Sequence, residues 1–414
     1  MNAQAPIRGA ELVAGGSRIG FGPQWLARVW AGRYDRILDK IDAGLQRGSL
    51  ELELPDGRLR LMGGRAPGFA AKANLASMRA VLRLVTSGSV GCFQGWEAGE
   101  WSSPDPVSLF ALFVDNAAAL GNGARSRGPW RLLARGIHWL HRNTRSGASR
   151  NIHAHYDLGN DFYAAWLDPS MSYSSARFGG LPGDLAAGQQ RKLTSISDRI
   201  GAAASVLEIG CGWGALARHL ADGGAKVTAI SLSDAQLDWA RLRHGAAGID
   251  FRKQDYRDIS GQYDGIASVE MVEAVGREYW PSYFDCIARC LKPGGRAAIQ
   301  YIALKDELFD AYAASADFIQ SYIFPGGMLV RESEFRRLAE ARGLSWSDRQ
   351  GFAADYAETL RLWRETFDRA VEDGRLPSGF DARFVRLWRF YFMYCEAGFR
   401  GGGIDVAQVT LIKH

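Results

Sequence analysis

The chain has 414 residues, 47% of them hydrophobic and 23% charged, with a formal net charge of +5. That length exceeds one ordinary core and predicts two domains, while the composition excludes an intrinsically disordered chain. No run approaches the roughly 20 apolar residues that span a bilayer, the N-terminus lacks the charged head and apolar body of a secretory signal, and the five cysteines form no C-x-x-C pair, which together predict a cytoplasmic protein without a metal site.

Residues 1–124 read as an N-terminal domain of short mixed elements. Leu50–Leu54 alternates apolar and polar residues as a strand does, Gly57 marks a turn, and Leu59–Met62 returns as a second strand. Leu75–Val85 has helical spacing, Gly88–Trp101 is rich in glycine and aromatics, and Pro104 and Pro106 precede a helix expected over Val107–Ala118. None of this holds a catalytic constellation.

Residues 125–150 form a basic linker. Arg125, Arg127, Arg131, Arg135, Arg142, Arg145 and Arg150 alternate with Trp130, Leu132, Leu133, Ile137, Trp139 and Leu140. Such a segment fits an anionic membrane surface, a nucleic acid, or a linker helix packed on the next domain.

From Val206 onward strands alternate with helices. The strands are expected at Ser205–Ile209, Lys226–Ser231, Ile249–Lys253, Gly265–Val269, Arg296–Ile302 and Val406–Ile412, and the helices at Ala215–Asp222, Asp234–Leu242 and Pro281–Leu291, the last stopped by Pro293-Gly294-Gly295. This alternation implies a parallel sheet covered on both faces, with ligands beyond the carboxyl ends of its strands. Between residues 303 and 343 it gives way to a helical stretch rich in Phe, Ala and Tyr, an insertion suited to walling an apolar pocket. Cys286 and Cys290, one helical turn apart, read as packing.

The most informative stretch is Val206-Leu207-Glu208-Ile209-Gly210-Cys211-Gly212-Trp213-Gly214. Its spacing is G-x-G-x-G, not the dinucleotide fingerprint G-x-G-x-x-G, and no G-K-[ST] follows. Closely spaced glycines let backbone approach a ligand. Glu208 argues against a phosphate and for a ligand with positive charge, such as S-adenosylmethionine with its sulfonium and ammonium. An ordinary strand-to-helix turn is the alternative reading of the same residues.

A series of motifs carries a family resemblance. In order they are His155-Tyr156-Asp157-Leu158-Gly159-Asn160-Asp161-Phe162-Tyr163, Met171-Ser172-Tyr173-Ser174-Ser175, the glycine turn, Leu232-Ser233-Asp234-Ala235-Gln236, Gln254-Asp255-Tyr256-Arg257-Asp258, Val269-Glu270-Met271-Val272-Glu273-Ala274-Val275-Gly276, and Tyr322-Ile323-Phe324-Pro325-Gly326-Gly327. From about residue 150 to the C-terminus the chain resembles the cyclopropane-fatty-acyl-phospholipid synthases and the related mycolic acid cyclopropane synthases. Gly88–Pro106 looks like the N-terminal domain of the bacterial phospholipid enzymes.

The resemblance implies an α/β fold: a Rossmann-like class I methyltransferase sheet with a helical lipid-pocket insertion over residues 151–414, beside a smaller α+β N-terminal domain. It implies methyl transfer from S-adenosylmethionine to the cis double bond of an acyl chain in a phospholipid, giving a cyclopropane. The alternatives are a methyl-branched unsaturated chain from the same first step, and methylation of a small amine. The implied partner is unsaturated phospholipid met peripherally at the inner face of a membrane, with no nucleic acid and with a homodimer as a further expectation.

Site residues follow from the same resemblance. Tyr173 and Ser174 match the family's cofactor-covering segment. Glu208, Gly210 and Gly212 belong to the turn under the methionine part of the cofactor, Ser231, Leu232 and Gln236 to the ribose and adenine side, and Asp255 and Tyr256 to the adenine. The base in the family is a bicarbonate ion. Glu273, Tyr391 and the backbone of Ile302 match residues that hold it, and His155 matches a histidine at the substrate mouth. The chain departs from the best-known members at Ser175 (cysteine there), Gln300 (histidine there) and Ala274 (histidine in some). Ser175 and Gln300 still offer neutral donors to an anion.

Overall fold

Leu50, Leu52 and Met62 are buried while Leu59 and Leu61 are 66% and 80% exposed, so one face of a hairpin turns to a core and the other to water. This hairpin belongs to a computed structural model that describes residues 8–17, 34–121, 158–181, 183–314 and 316–414. His155 and the basic segment Arg125–Arg150 lie outside the described residues. The chain divides into two compact units, each discontinuous in sequence. One comprises Met1–Leu140, Glu307–Pro325 and Gly379–Ile404, and the other His141–Asp306, Gly326–Ser378 and Asp405–His414.

The first unit contains α1 (Tyr34–Gly44), β1 (Ser49–Glu53), β2 (Leu59–Gly63), β3 (Ala70–Leu75), α2 (Arg79–Glu97), β4 (Trp101–Ser102) and α3 (Pro106–Asp115). The strand order is β2-β1-β3-β4. Strand β1 runs antiparallel to β2, with Leu50 opposite Met62, and parallel to β3. Leu75 pairs with Trp101 in the sheet, so the helix expected from Leu75 begins only at Arg79. It then continues to Glu97 through the glycine-rich stretch, because Gly88 (φ +57°, ψ −135°) kinks it without ending it. The helix expected to reach Ala118 stops at Asp115. There the Asn116 side chain accepts from the Gln46 and Arg47 amides and donates to the carbonyls of Arg47 and Leu112.

The Phe93 ring lies 5.2 Å from Phe318, 4.9 Å from Tyr322 and 5.1 Å from Phe390 between centroids. Aromatic packing of this kind draws Glu307–Pro325 and the long helix Ala382–Arg400 into the first unit. The division therefore differs from the contiguous 151–414 domain expected from sequence.

The second unit carries α4 (Leu185–Ile200), β5 (Ser205–Ile209), α5 (Ala215–Asp222), β6 (Lys226–Ser231), α6 (Asp234–His244), β7 (Asp250–Lys253), β8 (Tyr263–Val269), α7 (Trp280–Cys290), β9 (Leu291–Leu304), β10 (Val330–Arg331), α8 (Glu332–Glu340), β11 (Leu344–Gly351), α9 (Ala353–Glu372) and β12 (Ile404–Lys413). Its sheet has the order β11-β12-β9-β8-β5-β6-β7, with β10 beside β9. Strands β7, β6, β5, β8 and β9 pair in parallel. Strand β11, absent from the sequence reading, pairs antiparallel with β12. It has few apolar residues because its second half, Asp348-Arg349-Gln350, faces solvent.

Successive strands pass from β5 outward to β6 and β7, and then to β8 on the opposite side of β5. This reversal opens a crevice at the carboxyl ends of β5 and β8. Val206, Ala229, Ala267 and Ala298 on the strands pack against Leu193, Ile196 and Ile200 of α4, Leu216 and Leu220 of α5, and Leu237 and Ala240 of α6. Cys286 and Cys290 are buried on α7.

Ile266, fully buried in β8 at the middle of the sheet, supports both neighbouring strands. Ile266→Ala should lower the unfolding free energy by about 2–5 kcal/mol, read as a shift in the urea midpoint with unchanged slope.

Candidate active site

The crevice holds a cavity lined by Tyr173 and Ser174, Lys192 of α4, Glu208, Gly210 and Gly212 around the end of β5, Ser231, Leu232 and Gln236 after β6, Tyr256 after β7, and Glu270 after β8. Gly210 has φ +85°, and a Cβ there would lie 2.6 Å from the Met271 side chain. Gly212 has φ +51°, and a Cβ there would meet no atom of the described residues within 4 Å. One glycine is thus required by packing. The other leaves open a cradle at the cavity wall, which fits a ligand held close to backbone.

Glu208 is buried on β5, just before the turn. Burial pushes its carboxyl up to about 8, against hydrogen bonding from Ala217 and the charge of Lys192. Its Oε2 has no hydrogen-bond partner among the described residues. A buried carboxylate oxygen left unpaired beside a cavity is matched by a cationic ligand, and the sulfonium and ammonium of S-adenosylmethionine meet that need. Lys192, also buried, donates to Ser174 Oγ at 2.7 Å. Burial lowers it to about 8 despite Glu270, Asp168 and Glu208 nearby.

Tyr173 packs among Tyr163, Trp166 and Trp363, at 5.4–5.5 Å between centroids. Ser231 Oγ donates to Gln236 Oε1 and accepts from the Ser233 amide, linking the two residues expected at the ribose. Tyr256 reaches the cavity, and its hydroxyl has no partner among the described residues. Asp255 is placed differently from its expected cofactor role. It takes the Arg257 amide at 2.9 Å and the Arg257 guanidinium at 2.5 and 2.8 Å, capping the turn Tyr256–Asp258 outside the cavity lining.

Beyond β8 stand two carboxylates. Glu273 Oε1 accepts from the Ile302 amide, while its Oε2 is buried without a partner among the described residues. Burial first, and then the Glu270 charge, push it up to about 8. Glu270 is better supplied: its Oε1 accepts from the Ser175 amide (2.9 Å) and from Gln300 Nε2 (2.7 Å), and its Oε2 from the Tyr356 hydroxyl (2.7 Å). Burial still raises it above the ordinary carboxylate range. The Gln300 side-chain amide, expected to hold bicarbonate, is therefore engaged by Glu270, and beside it stands the backbone amide of Ser175, not the hydroxyl expected to serve the ion. Ser175 Oγ points away and donates to the Ala176 carbonyl.

The orientation of the Gln300 amide is set by its other end. Arg199 Nε, Arg177 Nη1 and Ser195 Oγ all donate to Gln408 Oε1. Gln408 Nε2 must then donate to Gln300 Oε1, at 2.9 Å, which turns the Gln300 NH₂ toward Glu270. Tyr391 belongs to the first unit, where it packs against Trp388 and Phe324. Glu270, Tyr356 and Lys192 were not singled out from sequence. Glu270 carried a signal, an acid directly after an apolar strand, whereas Tyr356 lies on α9, far along the chain from the glycine turn.

Gly212→Ala adds a Cβ at positive φ and fills the cradle, so S-adenosylmethionine affinity should fall about tenfold or more by calorimetry, with the sheet intact by circular dichroism. Glu273 is raised from 4.5 to about 8 in the folded chain. The stability from its neutral form is fully present below pH 4.5 and is lost as pH rises toward 8, by at most about 1.4 kcal/mol per unit. Glu273→Gln should accordingly gain on the native chain between pH 5 and pH 8 in urea unfolding. A constant difference across that range would count against the assignment.

The profile of the mycolic acid cyclopropane synthetase family matches residues 143–409. Tuberculostearic acid methyltransferase UfaA1 of Mycobacterium tuberculosis is 39% identical over 80% of this chain and 80% of its own length. The cyclopropane-fatty-acyl-phospholipid synthase of Escherichia coli is 31% identical over 80% of this chain and 85% of its own. The mycolic acid cyclopropane synthase CmaA1, solved with SAH and CTAB, superposes with a TM-score of 0.60 at 26% identity, covering 64% of this chain and 98% of that one. A class I fold, a cavity suited to a cationic methyl donor and these likenesses agree: the chain belongs to the mycolic acid cyclopropane synthetase family of S-adenosylmethionine-dependent lipid methyltransferases.

Proposed function

We propose that the chain methylates a carbon of the cis double bond in unsaturated acyl chains of phospholipids, and that the product is a methyl-branched unsaturated chain. The observation that carries the reading is the Glu208 oxygen without a partner among the described residues, at a glycine-built cavity, in a chain of this family. S-adenosylmethionine supplies an electrophilic methyl group on a sulfonium. Glu208 would face its positive charge, Gly210 and Gly212 would admit its methionine part, and Ser231 with Gln236 would take the ribose. An alkene is a weak nucleophile, so the chain must hold it in line with the methyl and keep water away. The adjacent carbon then becomes cationic, and the Glu270 carboxylate at the cavity wall supplies opposing charge.

Loss of a proton from a neighbouring chain carbon leaves a methyl-branched alkene, and loss from the new methyl closes a ring. The methyltransferase at 39% identity supports the first. The synthase at 31% supports the second reading, a cyclopropane. A bicarbonate ion fits neither case well, because the Gln300 amide already serves Glu270 and the Ser175 hydroxyl donates to the Ala176 carbonyl. Among the described residues no helix is long and apolar enough to cross a membrane, and the phospholipid would be met at a bilayer surface.

Incubation with S-adenosylmethionine and vesicles of cis-unsaturated phospholipid, followed by proton NMR of the released fatty acids, separates these outcomes. Retained olefinic signals with a new methyl are expected. High-field ring protons would decide for the cyclopropane, and no transfer of labelled methyl into lipid would overturn the reading.

A further inference from the structure

Glu270 occupies a backbone position suited to glycine. Its φ is +48°, in the left-handed region that side chains rarely adopt. The strand end is nevertheless pinned, the Glu270 amide donating to the Gln300 carbonyl at 2.8 Å. This conformation aims the carboxylate at the Ser175 amide, the Gln300 amide and the Tyr356 hydroxyl while leaving Glu270 on the cavity wall. A residue kept in an unfavourable conformation and met by three donors is over-determined by its surroundings, as residues at reacting centres often are.

The shape of the group matters as much as its charge. A carboxylate presents two oxygens on one carbon, as bicarbonate does, and its donors here are the Gln300 amide, which the family resemblance assigns to that ion, the Ser175 backbone amide and the Tyr356 hydroxyl. A second anion beside it would find those donors spent and would meet like charge. We propose that the Glu270 carboxylate is the proton acceptor of the reaction, standing in place of bicarbonate, so that this chain turns over without the ion. The proposal rests on the acyl-methylation reading above.

The step balances without a further reactant. Once the methyl has bonded to one alkene carbon, the neighbouring carbon is cationic. Glu270 takes a proton from a carbon beside that centre or from the new methyl. The C–H pair becomes the new π bond in the first case and the ring bond in the second. The carboxylate and the cation disappear together, leaving a neutral acid and a neutral lipid, and the acid returns its proton to water as product leaves. The relay from Arg177 and Arg199 through Gln408 holds the Gln300 donor on the carboxylate throughout. Burial, which raises Glu270 above the usual carboxylate range, makes it a stronger base than an exposed one.

Two variants and one binding measurement test this. In buffer stripped of bicarbonate the native chain should methylate vesicle lipid at an unchanged rate. Glu270→Gln keeps the shape and removes the base, and should lose about 100-fold or more in turnover. Glu270→Gly relieves the positive φ and frees the Ser175 and Gln300 donors. Added bicarbonate should then restore turnover to this variant alone. ¹³C-bicarbonate NMR gives a readout independent of catalysis: the signal should broaden with Glu270→Gly and stay sharp with the native chain. A native chain that slows when bicarbonate is removed and broadens its signal, or a Glu270→Gln variant with near-normal turnover, would overturn the proposal. A native chain that transfers no methyl to lipid with or without the ion would instead sink the acyl-methylation reading, and the NMR comparison would still decide what occupies the anion position.

Discussion

A charge withdrawn from water must be paired, neutralised or left for a ligand, and this constraint organises the cavity end of the sheet. Three carboxylates, Glu208, Glu270 and Glu273, meet there with one buried ammonium, Lys192. Each carboxylate meets the constraint differently. Glu270 collects donors from three separate elements. Glu273 has one backbone donor and a like charge nearby, and burial with that charge pushes its carboxyl up. Glu208 keeps one oxygen unpaired toward the cavity, which suits a ligand that brings positive charge. An apolar substrate alone would leave that oxygen unsatisfied, and a phosphate would repel it.

Support for Glu270 extends well beyond its contacts. Gln300 and Gln408 are both fully buried on the neighbouring strands β9 and β12, an expensive place for amides unless every polar end is used. Here they are. Arg177, Arg199 and Ser195 fix which end of Gln408 accepts, Gln408 fixes Gln300, and Gln300 donates to the carboxylate. A side chain at position 300 needs an acceptor on one side and a donor on the other, and glutamine supplies both without charge. The residue at 300 thus links neutral Gln408 to the Glu270 carboxylate.

The parts of the fold legible in the sequence were those governed by local pattern. The runs at β5 and β6 and the glycine turn between β5 and α5 announced themselves by apolar continuity and spacing. Strand β11 did not, because its second half faces solvent and its pairing with β12 comes from chain ends far apart in sequence. The start of α2 was misplaced because Leu75, apolar in either setting, pairs in a sheet with Trp101. The sharing of Glu307–Pro325 with the first unit depends on Phe93, Phe318 and Phe390 meeting, which no local window contains. At the site, Glu208 and Gly212 could be read from the motif itself. The pairing of Asp255 with Arg257 could not be read from the motif, because two residues so close in sequence are silent in a pattern.

Glu270 shows most clearly where sequence reasoning gives out. As a letter it is an acid after an apolar strand. Its conformation distinguishes it, and local preference argues against that conformation. Among the described residues, the non-glycine residues at positive φ are Met171, Glu270 and Asp348. Met171 and Glu270 line the cavity. The Asp348 carbonyl accepts from Arg199 at 2.7 Å, and its carboxylate pairs with the same guanidinium at 3.1 Å, holding the arginine that orients Gln408. Every such residue therefore stands either at the reacting end of the sheet or at the head of the relay that serves it. Positive φ costs about 1–3 kcal/mol at each such residue. Two of the three, Asp348 and Glu270, stand at the ends of the line that runs through Arg199, Gln408 and Gln300, and at the Glu270 end the conformation serves the placement of a carboxylate.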